Sequence, residues 1–381
     1  MIAFGRGLRR QFDLENGTAF LNHGSYGAAP RRVLAAAGRW RARMEKNPDR
    51  FMRLELPRAL RAAAGKLAGF LGAREQDLAF VENATTGVNA VLRSIELRPG
   101  DEILANSHTY YAVRQAIREC CRRTGARLVE ASIDLPVPNE KYLEEKILER
   151  FSRRTRLLVV DHISSPTGLI FPVRRLARYA RAHGARVLVD GAHAPGQIDL
   201  DIPSLGADWY AGNCHKWLYA PKGSAFLWAR RGAQRGLHPP VISHGYEKGY
   251  TAEFDWTGTR DFSNWLSIPD GIAFLKELNP SRVRAYSHDL VAESAVGIAN
   301  AWGTVLDGPA QLHGSMMAIR LPARLQRSDP VRLMAQWIRR DRLVVAVMPI
   351  KGALWARVSA QPYNLPSDYE RVLRASGRST P

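Results

Sequence analysis

Asn213-Cys214-His215-Lys216-Trp217 is read together with Val187-Leu188-Val189-Asp190-Gly191-Ala192-His193 upstream of it. The Val/Leu run is that of a strand buried on both faces of a parallel sheet. Asp190 ends it at the carboxyl edge, where open α/β sheets bind ligands. The interval from Asp190 to Lys216 has room for one more strand and two turns. A lysine amine and a buried carboxylate in this arrangement have a chemical reading. Pyridoxal phosphate (PLP) needs an amine to hold its aldehyde as a Schiff base. It also needs a carboxylate beside its pyridine nitrogen, so that the ring stays protonated and draws electrons. Lys216 taken alone reads as a solvated surface lysine; Asp190 upstream argues against that.

The rest of the chain alternates in step with this strand. Leu78-Ala79-Phe80-Val81, Asp101 to Ala105, Arg127 to Glu130 and Arg156 to Asp161 are short apolar runs. Helical patterns separate them, such as Ala112 to Cys121. Strand, helix and strand recurring in this way predict a mostly parallel, seven-stranded-type sheet flanked by helices, an α/β fold. Pro30 opens a helical stretch through Arg43, and Leu56 to Leu71 carries alanines and leucines at helical spacing. Ser224 to Trp228 follows the lysine loop as a further strand. From about Phe262 a long helix leads away from the sheet. Met317 to Leu321, Pro330 to Asp341 and two strands around Val344 and Trp355 then read as a small α+β C-terminal domain. The expected division is an N-terminal segment over 1–50 that packs with the small domain, a large domain over 51–262 and the small domain over 263–381.

The chain has 381 residues, 45% of them hydrophobic, which suits one large core and one smaller one. The net charge is +19. Such a balance fits nucleic acid, an acidic ligand or a membrane surface. Here the arginines are spread through helices, as at Arg31-Arg32, Arg153-Arg154 and Arg174-Arg175, with no basic run interleaved with aromatics. A solvated surface is the better reading, and no nucleic-acid partner is expected. Cys120, Cys121 and Cys214 suit neither a disulfide framework nor a metal-ligand spacing. No metal is expected, and reduced thiols point to the cytoplasm. The N-terminus lacks an apolar signal core, and no run of about eighteen apolar residues predicts a membrane span.

Other pieces fall in order along the chain: Leu21-Asn22-His23-Gly24-Ser25-Tyr26-Gly27, Asn83-Ala84-Thr85-Thr86-Gly87, Ser164-Ser165-Pro166-Thr167-Gly168, Thr257-Gly258-Thr259 and Arg357-Val358-Ser359. With Asp190-Gly191-Ala192-His193 and His215-Lys216 they resemble the class V aminotransferase family of PLP fold type I, near its isopenicillin N epimerase-like branch. The resemblance spans about Leu21 to Tyr369.

Thr85, Thr86 and Gly87, between a strand and a helix, read alone as an ordinary N-cap or as an anion site of exposed helix N–H groups. The resemblance implies the phosphate site, with His215 as a further contact. It implies that Thr259 reaches the phosphate of a neighbouring subunit, and so a homodimer with shared sites. His108 matches the histidine that stacks on the pyridine ring, with Tyr110 and Tyr111 as alternatives. His193 stands where many relatives have glutamine; it either bonds the cofactor's phenolic oxygen or orients a neighbour. Ser165 stands where related desulfurases carry asparagine at the same oxygen. Arg357 is implied as the substrate anchor, because a guanidinium meets a carboxylate with two parallel hydrogen bonds. Asn22 and His23 belong to the loop that closes over substrate in relatives.

PLP acidifies the Cα–H of a bound amino acid, and Lys216 is then the nearest base. The resemblance implies an isopenicillin N epimerase-like enzyme acting at Cα of an amino acid with a free α-carboxylate. A β-eliminating C–S lyase and a class V aminotransferase are the alternatives. A persulfide-forming desulfurase needs a loop cysteine in the C-terminal half, and none follows Cys214. A non-catalytic nucleic-acid-binding relative of the fold is the remote alternative that the charge suggests.

Overall fold

The structure is a computed structural model and describes residues 3–377. Its centre is a seven-stranded sheet in the order Leu78–Val81, Ala225–Ala229, Trp209–Asn213, Arg186–Gly191, Thr155–Asp161, Glu102–Asn106, Arg127–Ala131. Only Ala225–Ala229 runs against its neighbours; the other pairings are parallel. The reversed strand is the one expected after the lysine loop.

The strands are buried on both faces, and alternate residues feed two cores. Leu104, Leu158, Val160, Val187, Val189, Tyr210 and Phe226 face one cluster. Ile103, Leu157, Val159, Leu188, Ala211 and Leu227 face the other. Each such Val, Leu, Ile or Phe contributes about 1.5–3 kcal/mol by leaving water. The parallel strands deliver polar residues to one edge: Asn106, Asp161, Asp190 and Asn213 all sit at their carboxyl ends. The site stands on this edge.

A three-stranded antiparallel sheet, in the order Ala346–Ile350, Ala353–Ser359, Met316–Arg320, forms a second layer system with its own core around Val291, Ile319, Trp337 and Val358. The N-terminal segment joins it through a short parallel pair, Ala19–Phe20 with Leu343–Val344. The long helix expected from Phe262 is broken into Ser263–Leu266, Ile268–Glu277 and Pro280–Trp302. Proline explains the breaks. Pro269 and Pro280 each sit in the first turn of a new helix, and Asn279 takes a left-handed φ of 65° between them. The middle helix packs on Arg31–Lys46 and Leu56–Phe70, beside the large sheet.

Candidate active site

A cavity of about 780 Å³ opens on the carboxyl edge. Its lining includes Lys216, Asp190, His193, His215, Thr85, Thr86 and Ser165. They arrive on separate strand ends, loops and a helix start, so the sheet edge does the gathering. Asp190 is held by its buried strand. Its Oδ1 accepts the Ala192 N–H at 3.0 Å. Burial pushes its carboxyl up from the usual range, against the pull of that N–H and of Lys216.

Lys216 is 9% exposed, and its Nζ lies 3.0 Å from His193 Nε2. Burial first, then Arg357, bring its pKa down to about 7, while Asp190 works the other way. The amine is therefore available uncharged near neutral pH. His193 is buried and held neutral by that burial. Its Nε2 is the nitrogen in contact with Lys216, and its buried Nδ1 has no protein partner. His215 is anchored through Nδ1 to the Ser224 carbonyl at 3.0 Å, and burial brings it down to about 4.

The helix Ala84–Ser94 points its first turn into the cavity. Asn213 Oδ1 takes the Ala84 N–H at 2.8 Å, and Asn83 Oδ1 takes the Thr86 N–H at 2.9 Å. Gly87 is a packing residue rather than a cavity residue. A Cβ there would lie 3.0 Å from the Ala211 Cβ. Its bare backbone lets the helix lie close on the Trp209–Asn213 strand.

Arg357 is buried behind the cavity wall. Its Nη2 donates to Asn22 Oδ1 and Ser25 Oγ, both at 3.0 Å, and its Nη1 to the Ser165 carbonyl. Burial brings its pKa down to about 10, its Nε has no partner, and no carboxylate pairs with it among the described residues.

The remaining sequence-predicted residues stand off the cavity. His108 is buried in the turn after Asn106, with Nε2 3.3 Å from the Ile133 carbonyl; of the three ring-stacking candidates, Tyr110 is the one on the cavity wall. His23 is fully buried beneath the lysine, and Asn22 reaches the site through Arg357 and Ser25. Thr259 is exposed and lies away from its own chain's cavity.

Sequence reasoning missed Asp161, Asn213, Tyr26 and Lys222, which also line the cavity. Asp161 had a readable signal: like Asp190, it closes a buried Val/Leu run.

These groups fit PLP. The cavity offers an uncharged amine, a buried carboxylate, an imidazole with one unpartnered nitrogen and a helix N-terminus. Its size accommodates a cofactor with a small substrate.

Comparison with known proteins agrees. The aminotransferase class-V family matches residues 23–346. An isopenicillin N epimerase from Amycolatopsis lactamdurans is 36% identical over 391 residues, covering 96% of this chain and 96% of that protein. A putative L-cysteine desulfhydrase from Oryza sativa subsp. japonica is 32% identical, covering 96% of this chain and 84% of that protein. Among solved structures, the cystine C–S lyase C-DES with cysteine persulfide superposes with a TM-score of 0.83 at 17% identity, covering 95% of this chain and 98% of that one. The apo cysteine desulfurase of Thermococcus onnurineus NA1 gives 0.81 at 19% identity, covering 98% and 97%. At that identity the two structures speak for the fold. With the family match over most of its length, the chain belongs to the class V aminotransferase family and is a PLP-dependent enzyme of fold type I.

Proposed function

We propose that the enzyme removes the Cα proton of an amino acid whose α-carboxylate is held by Arg357, with an isopenicillin N epimerase-like outcome. The observation that carries this reading is the Lys216 amine, uncharged near pH 7 and 3.0 Å from His193, on the same cavity as Asp190. Bound PLP supplies the electron sink. Lys216 Nζ binds the cofactor and, once released, takes the proton from Cα. Asp190 holds the proton on the ring nitrogen. His193 orients Lys216 through Nε2 and offers its Nδ1–H to an oxygen in the cavity. Thr85, Thr86 and His215 receive the phosphate, and Ser165 and Asn22 set the position of Arg357.

A C–S lyase is the second reading, favoured by the desulfhydrase among the relatives. A persulfide on a protein thiol has less support. None of the three cysteines lines the cavity, and Cys214 is fully buried with its thiol pushed well up by that burial.

The reading extends to a homodimer. Thr259 is exposed and free of its own site, as a residue serving a neighbouring subunit must be. Tyr26, 71% exposed, leaves apolar surface on the cavity, and Val241, 57% exposed, leaves more at the adjoining pocket that shares Glu82, Thr86 and Pro240 with it, suited to a second copy. The strands of the two larger sheets lie within 78–229 and 316–359, on either side of the expected boundary at 262/263, whereas Ser263–Leu266 and Ile268–Glu277 pack with the large-domain core. A cytoplasmic site accords with three unpaired cysteines, and no helix among the described residues is long and apolar enough to cross a membrane.

The test is a panel of amino acids in deuterated water, followed by mass and chiral analysis together with sulfide and keto-acid assays. Deuterium at Cα with loss of stereochemical purity is expected. Sulfide and pyruvate from cysteine, without inversion of other substrates, would replace the first reading by the second. Amino-group transfer with no Cα inversion would overturn both.

A further inference from the structure

Asp161 is a buried carboxylate that the chemistry above leaves without a task. It closes the strand Thr155–Asp161 and is the register partner of Asp190 on the adjacent parallel strand. Both carboxylates line the cavity, and Asp161 is 2% exposed. Its side-chain partner is Asn106, with Nδ2 3.4 Å from Oδ2; that amide and the backbone at Tyr110 and at Asp161 itself favour the ionised form, against burial and Asp190, which push the carboxyl well up. Among the described residues Asp190 is the charged neighbour that acts on it, and no arginine, lysine or histidine forms an ion pair with it.

The groups around the pair offer little countercharge. On the neighbouring strand stands Asp190, and beyond it the Tyr210 phenol, kept neutral by burial. On the other side stand Asn106 and Tyr110. Next in sequence is His162, neutral through burial and bonded to the Tyr210 hydroxyl at 2.9 Å. Across the cavity are neutral His193 and Lys216, whose ammonium form burial disfavours. Arg357 lies behind the wall. Two carboxylates facing one shielded space cannot both ionise cheaply, and their protons then belong to the pair.

We propose that Asp161 is a positioning residue, the proton-holding half of a carboxylate pair whose other half, Asp190, carries the single negative charge toward the cofactor nitrogen. At neutral pH the stored proton stays on Asp161, and the site shows the ring one anion. As pH rises, Asp161 releases that proton to solvent. The second negative charge then keeps the ring nitrogen protonated beyond the pH at which a lone carboxylate would let it go. The inference rests on the reading of Asp190 as the ring-nitrogen partner.

The test uses Asp161→Asn, which keeps the shape and the Asn106 contact but cannot titrate, with the full chain both loaded with PLP and freed of it. In the cofactor-free protein, the parent's stability falls from about pH 4, where the unfolded carboxyl titrates, up to the raised folded value. The variant lacks that fall. Its unfolding constant improves on the parent's by up to about tenfold per pH unit in that window. In the loaded protein the alkaline midpoint of the cofactor's absorbance is expected at lower pH in the variant. The parent itself is expected to show a buried carboxylic-acid C=O infrared band at neutral pH, whether or not the variant folds. Parallel stability profiles from pH 4 to 8, or no such band, overturn the role of Asp161. Retention of the ring-nitrogen proton in Asp190→Asn, with those profiles still divergent, would overturn instead the reading of Asp190.

Discussion

The imidazole of His23 binds the backbone of Lys216: Nε2 lies 2.9 Å from the Lys216 carbonyl oxygen, and Nδ1 lies 2.8 Å from the Tyr363 hydroxyl. Burial brings the ring's pKa down to about 3, so it is neutral. The partners fix the tautomer. Nε2–H donates to the carbonyl, and Nδ1 accepts from the Tyr363 O–H. The His23 N–H donates to Ser359 Oγ at 2.8 Å, two residues from Arg357. One residue thus ties the N-terminal segment, the lysine loop and the arginine strand.

Removing that ring leaves the Lys216 carbonyl and the Tyr363 hydroxyl buried without partners. Each such group costs about 1–3 kcal/mol. His23→Ala is therefore expected to lower the thermal midpoint by several degrees and to loosen cofactor retention, measured by dialysis and absorbance. His23→Gln, which can still donate to one partner, should recover part of both. Unchanged stability in the alanine variant would remove the clamp from the account.

Gly27 lets the same segment pass over the lysine loop. Its φ is +69°, and a Cβ there would lie 2.0 Å from the His215 carbonyl oxygen and 3.0 Å from Lys216 Cα. Those are backbone atoms with little freedom to move. Gly27→Ala combines a left-handed strain with a collision, and a loss above about 4 kcal/mol is expected. Soluble yield and cofactor content measure it. Parental values for both would show that the segment can lift away.

The parts of this site legible in the sequence are those tied to strand ends. Asp190 and Lys216 stand out because a Val/Leu run makes a buried strand and the sheet edge is where its last polar residue must lie. Asp161 closes an equally apolar run, but only the register of two parallel strands places it beside Asp190. His108 and Tyr110 differ by two positions in one turn. Which of them lines the cavity depends on where the turn puts each side chain, and no periodicity encodes that. The function of Gly27 is likewise invisible locally, because the atoms it avoids lie far along the chain.

Lys216 gives the cofactor-free protein a second pH signature, opposite in sign to that of Asp161. Its pKa falls from 10.5 to about 7 on folding. Across that interval the unfolded chain binds more protons than the folded one, so this lysine makes stability rise with pH. Lys216→Met keeps the apolar stem and removes the titration. The parent should gain on this variant by up to about 1.4 kcal/mol per pH unit between pH 7 and 10, read by urea unfolding. A constant difference between the two proteins would mean that the amine stays charged in the folded state.

Arg357 is expected to move stability and binding in opposite directions. Arg357 is 3% exposed, and its guanidinium has three oxygen partners, none of them a carboxylate. A buried cation without an anion costs the empty protein free energy, and a well-packed apolar side chain removes that cost. Arg357→Met should therefore raise the unfolding midpoint of the substrate-free enzyme, or at least leave it unchanged. The same change leaves the substrate's α-carboxylate unpaired in a shielded site, a loss of about 2–5 kcal/mol. KM for amino acids should rise by roughly 30-fold or more at that cost, while KM for the matching amines should change little. Arg357→Lys keeps the charge but not the planar fork, and an intermediate KM is expected. If parent and Arg357→Met bind amino acids equally well, the carboxylate sits elsewhere in the cavity, and Lys222 on its wall becomes the cation to test.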